Sequence, residues 1–464
     1  MKRRKFIKNS AFMLTYLGCA PWMANGFAAQ PPVVEGEEWR NINVYETHNK
    51  NLRPRDTVLK EAKQNIEKYR KGNLVLQLQN RNTSLEQLSV SVDMKEHFFD
   101  WGCSFLKEKD NFKDQERYSQ FLTDFRSLFN ATTAKCYWDE RWHQPIEKEE
   151  GKRILDTFLE EVHTGAENGL RVKGHPAVWT IPKAIPAWMR KYDHNQRVKI
   201  WEAHVKDLVK QGGDNIHNWD VVNEMLWEPA MKNIYNRHWP HLDPIDDIAD
   251  YVARSLQWVK ETNPKPLRII NDYGLIKDFN DLQPVAPQRK RYLQLIEALR
   301  ELNNLPDAIG CQSHVGTWYH PDEIVTAFNE LAKSGLPLHV TEFWSRIDNC
   351  PVNTDHLSQE EKNQLLKQYL TDFYTVAFGH PAVQHLTYWG NPFFDAKGNK
   401  TFMYDTLYQL IRNDWTTRET KTLDENGKVT FHAFYGDYLL KIGEVKKNIS
   451  FTPNDHNLEK VIVL

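Results

Sequence analysis

Eight short apolar runs, spaced by longer segments of helical period, constrain this chain more than any other feature. They lie at 98–103, 131–137, 171–179, 217–224, 267–273, 308–314, 336–342 and 383–389. Strands that alternate with helices form βα units, and such units build a parallel sheet. Eight of them across 97–412 suit an α/β chain closed as a (β/α)8 TIM barrel with enlarged loops better than an open doubly wound sheet. The helical segments carry matching punctuation. Asp243-Pro244 opens one with Ile245, Ile248, Val252, Leu256 and Val259 on a single face; Ser358 with Glu361 reads as a capping box, and Gly335 as a stop. Neither GxGxxG nor GxxxxGK[ST] occurs, so no sequence feature supports nucleotide binding.

The flanks read differently. Residues 1–28 have the form of a twin-arginine export signal: Arg3-Arg4 and flanking lysines, an apolar stretch from Ala11, and small residues at Gly26 and Ala28. Export predicts a periplasmic or extracellular protein. Leu17-Gly18-Cys19 is a weaker match to a lipid-anchor site at Cys19. Past residue 30 no apolar run approaches the roughly 20 residues of a spanning helix. Residues 29–96 predict a β-rich lead-in, with a helix over 56–71 and alternating strands at 73–79 and 87–93. Residues 413–464 predict a short β-rich extension, with strands at 428–435 and 438–442, packing with that lead-in.

A formal charge of -2 gives no electrostatic case for nucleic acid as a partner. The 16 Trp and 18 Tyr suit a saccharide better, because aromatic faces pack on the C–H faces of sugar rings. Five cysteines show no CxxC spacing, and buried thiols are expected.

Polar residues gather at the C-terminal ends of the barrel runs, where such folds build their sites. The fourth ends in Asn223-Glu224, the fifth in Asn271-Asp272-Tyr273, the sixth in Gln312-Ser313-His314, the seventh in Thr341-Glu342 and the eighth in Trp389. Two glutamates on two strands are the minimum for cleaving a glycosidic bond, one as proton donor and one as nucleophile or base. No metal or cofactor is needed for that chemistry.

Trp219-Asp220-Val221-Val222-Asn223-Glu224, Asn271-Asp272-Tyr273, Gln312-Ser313-His314 and Thr341-Glu342 resemble glycoside hydrolase family 10, the endo-β-1,4-xylanase family. Gly174-His175 with Val178-Trp179, and Trp389-Gly390, fit the same pattern. The resemblance implies a retaining mechanism with Glu224 as acid and then base, Glu342 as nucleophile, and carboxyls about 5 to 5.5 Å apart. It also implies a substrate-binding set: Asn223 on the sugar 2-hydroxyl, Gln312 and His314 orienting nucleophile and sugar, and His175, Trp179 and Trp389 lining the cleavage subsite. Asn271 and Tyr273 join that set. The chain departs from the family where it grips the sugar. An acidic-Asn pair with a following lysine is replaced by Thr133 to Asp139, a histidine by Thr180 ahead of Ile181-Pro182-Lys183, and an acidic residue by Trp344, which removes the charged partner expected for His314.

Two other readings compete. A catalytically silent barrel would bind glycans and use the glutamates as hydrogen-bond acceptors. A metal-dependent barrel hydrolase would draw His175, His314 and Asp272 together, although no HExxH signature is present.

Overall fold

The structure, a computed structural model, describes residues 44–45, 51–79, 88–104, 106, 112–139, 144–235, 242–277, 285–314 and 316–463. The export-signal reading of 1–28 and the lipid-anchor reading of Cys19 lie outside them. Helix α1 (Arg55–Tyr69) and strands β1 (Lys71–Gln79) and β2 (Ser89–His97) come first. Then follow β3 (Asp100–Cys103), α2 (Gln115–Leu128), β4 (Ala131–Lys135), α3 (Asp156–Glu167), β5 (Arg171–His175) and β6 (Val178–Trp179). The chain continues through α4 (His194–Gly212), β7 (Ile216–Asn223), α5 (Ile245–Thr262), β8 (Leu267–Asp272), α6 (Val285–Glu301) and β9 (Ala308–Cys311). Next are α7 (Pro321–Leu331), β10 (Leu338–Phe343), α8 (Gln359–Gly379), β11 (Val383–Tyr388) and α9 (Phe402–Tyr408). Five strands finish it: β12 (Arg418–Thr422), β13 (Lys428–Phe434), β14 (Gly436–Ile442), β15 (Val445–Phe451) and β16 (Glu459–Val463).

The expected (β/α)8 barrel is present. Strands β3, β4, β5, β7, β8, β9, β10 and β11 pair in that order, all parallel, and β11 closes on β3 with Leu386 opposite Trp101. Helix α5 buries Ile248, Val252, Leu256 and Val259 as its period requires, and the Ser358–Glu361 capping box opens α8. Two strands differ from expectation. The third run breaks after His175, because Pro176 has no N–H to donate; β6 then pairs with the far end of β7, Trp179 opposite Asn223. The sixth stops at Cys311, where Ser313 takes a left-handed φ of 64° and swings His314 off the strand.

The flanks interlock into two sheets. β1 pairs antiparallel with β13 and parallel with β16, while β2 sits between β12 and β14, with β15 beyond. Leu74, Leu76, Val90, Val92, Phe431, Leu440 and Ile462 bury their side chains in the common core. Sequence pattern finds β13 and β14 but not β12, β15 or β16. All three are edge strands whose mostly exposed residues show no alternating buried face; β12 and β15 carry the charges that keep edges from pairing with other chains, whereas β16 exposes Val461 and Val463.

Helix α1 fastens this assembly to the barrel by laying on α8. Asp372 of α8 takes both arms of the Arg55 fork at 2.7 Å and the Tyr45 hydroxyl at 2.6 Å. Arg70, just past α1, donates to the carbonyls of Phe378, His380 and Val383, each at 2.6 Å, at the C-terminal end of α8 where helical carbonyls lack partners. Arg70→Met is expected to cost about 2–4 kcal/mol, read as a lowered denaturation midpoint, since it strands several part-buried acceptors at once.

Candidate active site

The C-terminal mouth of the barrel gathers the two glutamates and their partners. Glu224 follows β7 at a φ of 62°, a left-handed residue held by its own N–H donating to Asn271 O at 2.7 Å. That turn aims the carboxyl across the mouth. Its oxygens accept from Trp179 Nε1 at 2.7 Å and Gln312 Nε2 at 3.2 Å. Burial pushes the Glu224 carboxyl above its usual range and the negative Glu342 adds to the rise, against the bonds from Gln312 and Trp179.

Glu342 on β10 is buried, and its oxygens meet Asn271 Nδ2 at 2.7 Å and His314 Nε2 at 2.8 Å. Burial alone would raise its pKa, but the His314 bond and the nearby His175 outweigh burial and hold it below the usual carboxylate range. The two carboxyls are thus driven in opposite directions.

Amides join them. Asn223 Oδ1 accepts from Gln312 Nε2 at 3.1 Å and Asn271 Nδ2 at 3.0 Å, so bonds run from Glu224 through Gln312, Asn223 and Asn271 to Glu342. Asn271 has no exposed surface, and Thr341 Oγ1 donates to its Oδ1 at 2.6 Å. Space for it comes from Gly310, where a Cβ would lie 2.4 Å from that oxygen.

The aromatic candidates surround this core. His175 donates from Nδ1 to Asp220 at 2.8 Å, leaving Nε2 at 4.0 Å from Glu342, and Trp389 sits edge-on to it at 5.1 Å. Burial would raise Asp220, yet the Lys173 ammonium at 3.1 Å and His175 hold it down at about 2. Tyr273 is set farther along the mouth, stacked on Trp227 at 5.5 Å. Trp344 packs on His314 at 4.6 Å, and the buried His314 Nδ1 has no hydrogen-bond partner, in keeping with the expected loss of a charged partner there. Lys135 pairs with Glu161 at 2.6 Å and donates to Ser104 O at 3.3 Å, while Tyr137 packs on His175 and Trp179.

Asp272 does not join His175 and His314. Its oxygens accept from the backbone N–H groups of Leu226 and Tyr273, each at 2.8 Å, and so brace the loop after Glu224. Among the described residues no group of three His, Cys, Asp or Glu is placed to hold a metal ion. The described cysteines form no disulfide, and Cys103, Cys136 and Cys311 are buried. No described helix is long and apolar enough to cross a membrane. Sequence reasoning missed Glu228, a third carboxyl at the mouth, 4% exposed and pushed up to about 9 by burial and then by Glu224. It also assigned no role to Asp220, although a buried aspartate on an inner strand needs a partner.

A closed parallel barrel with paired carboxylates at its C-terminal mouth places the chain in the (β/α)8 class. Residues 94–406 match the model of glycosyl hydrolase family 10, and the chain belongs to that family. Endo-1,4-beta-xylanase 5-like of Arabidopsis thaliana is 25% identical over 371 residues, 77% of this chain and 58% of that protein. Endo-1,4-beta-xylanase C of Paenibacillus barcinonensis is 28% identical over 247 residues, 49% of this chain and 21% of that protein. This chain therefore spans less than two thirds of either relative. Native xylanase 10B of Thermotoga maritima superposes with a TM-score of 0.53 at 20% identity, over 68% of this chain and 95% of that one, a likeness of fold.

Proposed function

We propose that this chain is a retaining glycoside hydrolase that cleaves β-linkages in xylan, a related plant polysaccharide or a decorated fragment of one. The observation that carries this reading is the opposed pair: one carboxyl raised and one lowered, joined by a chain of amides. Glu224 protonates the departing sugar oxygen while Glu342 attacks the anomeric carbon, which leaves a glycosyl ester on Glu342. Ester formation removes the negative charge that helps keep Glu224 protonated. Its pKa falls, and the carboxylate then takes a proton from the water that hydrolyses the ester. Asn223 is the hydrogen-bonding group for the sugar 2-hydroxyl, His175, Trp179 and Trp389 form the walls of the subsite, and Tyr273 extends the platform. Export past the inner membrane, suggested by Arg3-Arg4, suits a polymeric substrate.

The test is product analysis on a panel of β-linked glycans and branched fragments, with the anomer released in the first turnover read by NMR. Net retention is expected; inversion would contradict Glu342 as nucleophile. Binding without hydrolysis across the panel would favour the silent glycan-binding barrel instead.

The pH profile of kcat/KM should be bell-shaped. Its acid limb marks protonation of Glu342 below the ordinary carboxylate range, and its alkaline limb marks loss of the Glu224 proton above it. His314→Ala removes the bond that favours ionised Glu342, so its acid limb is expected to move to higher pH while the alkaline limb stays. An unmoved acid limb would show that His314 does not tune Glu342.

A further inference from the structure

On the Glu342 side of the mouth, contacts run outward from the carboxylate: His314 bonds Glu342 at 2.8 Å, the Trp344 ring lies 4.6 Å from the imidazole, and the Arg346 guanidinium carbon sits 4.1 Å over the indole. Arg346 is tethered at its main chain, where its carbonyl accepts from Trp318 Nε1 at 2.9 Å and Asn349 N at 3.1 Å. Yet its guanidinium makes no ion pair and donates no hydrogen bond among the described residues. Arg55, Arg70 and Arg268, by contrast, spend their forks on Asp372, on three carbonyls and on Asp307. A guanidinium packed 4.1 Å over a tryptophan with all its N–H donors unspent is placed to take a planar, bidentate acceptor. The same wall has two further orphans, since Trp344 Nε1 and His314 Nδ1 are buried without partners. Opposite, Lys183 Nζ lies 5.7 Å over Trp179, the indole that donates to Glu224. In a chain of net charge -2, each glutamate's aromatic neighbour is thus topped by a cation.

We propose that Arg346, seated on Trp344, is a specificity-determining residue that binds the carboxylate of an acidic sugar, so that the site prefers a uronate-bearing glycan to its neutral counterpart. The inference rests on the glycosidase reading only in placing a glycan in the cleft. A uronate carboxylate is planar and matches the fork with two parallel N–H···O bonds, whereas a neutral hydroxyl uses one donor and leaves the charge unanswered. The substitution of Trp344 for an acidic residue fits the same logic, because a carboxylate of the protein at that position would compete for Arg346 and repel the substrate.

The test uses Glu342→Gln, isosteric and unable to act as nucleophile, so that recognition is read apart from turnover. Calorimetry would compare a β-1,4-xylo-oligosaccharide with the same oligosaccharide carrying one glucuronic acid. The acidic ligand is expected to bind about tenfold tighter or more, as for a charge-assisted hydrogen-bonded pair. Adding Arg346→Met should bring its affinity down to that of the neutral ligand, and Arg346→Lys should restore part of the difference. Equal affinities before the substitution, a difference that survives Arg346→Met, or no binding of either ligand would overturn the proposal. Hydrolysis of both ligands by the intact protein with equal affinities would leave the glycosidase reading standing and remove this one. Selective binding without any hydrolysis would do the reverse.

Discussion

Glu342→Ala is expected to lower hydrolysis by about 10⁴-fold or more on every substrate, because no other group at the mouth can form the glycosyl ester. His175 and His314 flank Glu342, one toward each of its oxygens at 4.0 and 2.8 Å, and Glu228 sits on the Glu224 side with its carboxyl held neutral by burial. Glu224→Ala should behave differently. Its proposed role is to give a proton to the leaving oxygen, so the loss depends on how much that oxygen needs one. A sugar alkoxide departs poorly without a proton, and the loss there should reach about 10²–10⁴-fold. A nitrophenolate departs as the anion, so formation of the ester from an aryl glycoside should be much less affected, and the ester should accumulate because the base for its hydrolysis is missing. The alkaline limb of the pH profile should vanish in the same variant. Equal losses on both substrates, or measurable turnover by Glu342→Ala, would sink the assigned roles.

The barrel was legible because its strands are buried on both faces and read as near-continuous apolar runs. Polar residues at their ends then stood out, and Glu224, Glu342, Asn223, Gln312 and His314 do meet at one mouth. What escaped the pattern was set by tertiary contact. Pro176 itself breaks the third run, but the return of β6 to the far end of β7 is a tertiary pairing, and the left-handed Ser313 belongs to the turn that aims His314. Glu228 and Arg346 lie in loops, where a charged residue reads as solvated; only the packed structure reveals that one is buried and that the other lacks an acceptor. The edge strands β12, β15 and β16 were silent because their residues are mostly exposed and show no alternating buried face. Asn271 is the most instructive case. Sequence treats it as one of several polar strand ends that could touch sugar, whereas in the structure it lies wholly beneath the carboxyls.

That placement gives Asn271 a large effect without direct contact with the reacting bond. Its Nδ2 spans Asn223 and Glu342, its Oδ1 takes the Thr341 hydroxyl, and its carbonyl holds the Glu224 N–H. Asn271→Ala would remove the side-chain bonds together and leave buried acceptors on Glu342 and Asn223 short of a donor, at a cost of about 1–3 kcal/mol for each group left unsatisfied. Freed of that bond, Glu342 can rotate off the line of attack, and a misplacement on the order of 1 Å is enough for about 10²-fold in rate. The expected signature is therefore a collapse of kcat with KM little changed, measured well below the variant's unfolding midpoint so that lost stability is not mistaken for lost chemistry. Gly310→Ala approaches the same atoms from the other side. It keeps every hydrogen-bonding group but drives a Cβ to 2.4 Å from Asn271 Oδ1, so the amide must shift. If Asn271 positions the nucleophile, both variants should lose kcat in the same sense. A Gly310→Ala protein with unaltered kcat, or an Asn271→Ala protein whose whole deficit lies in KM, would place the positioning of Glu342 elsewhere, with His314 as the remaining donor.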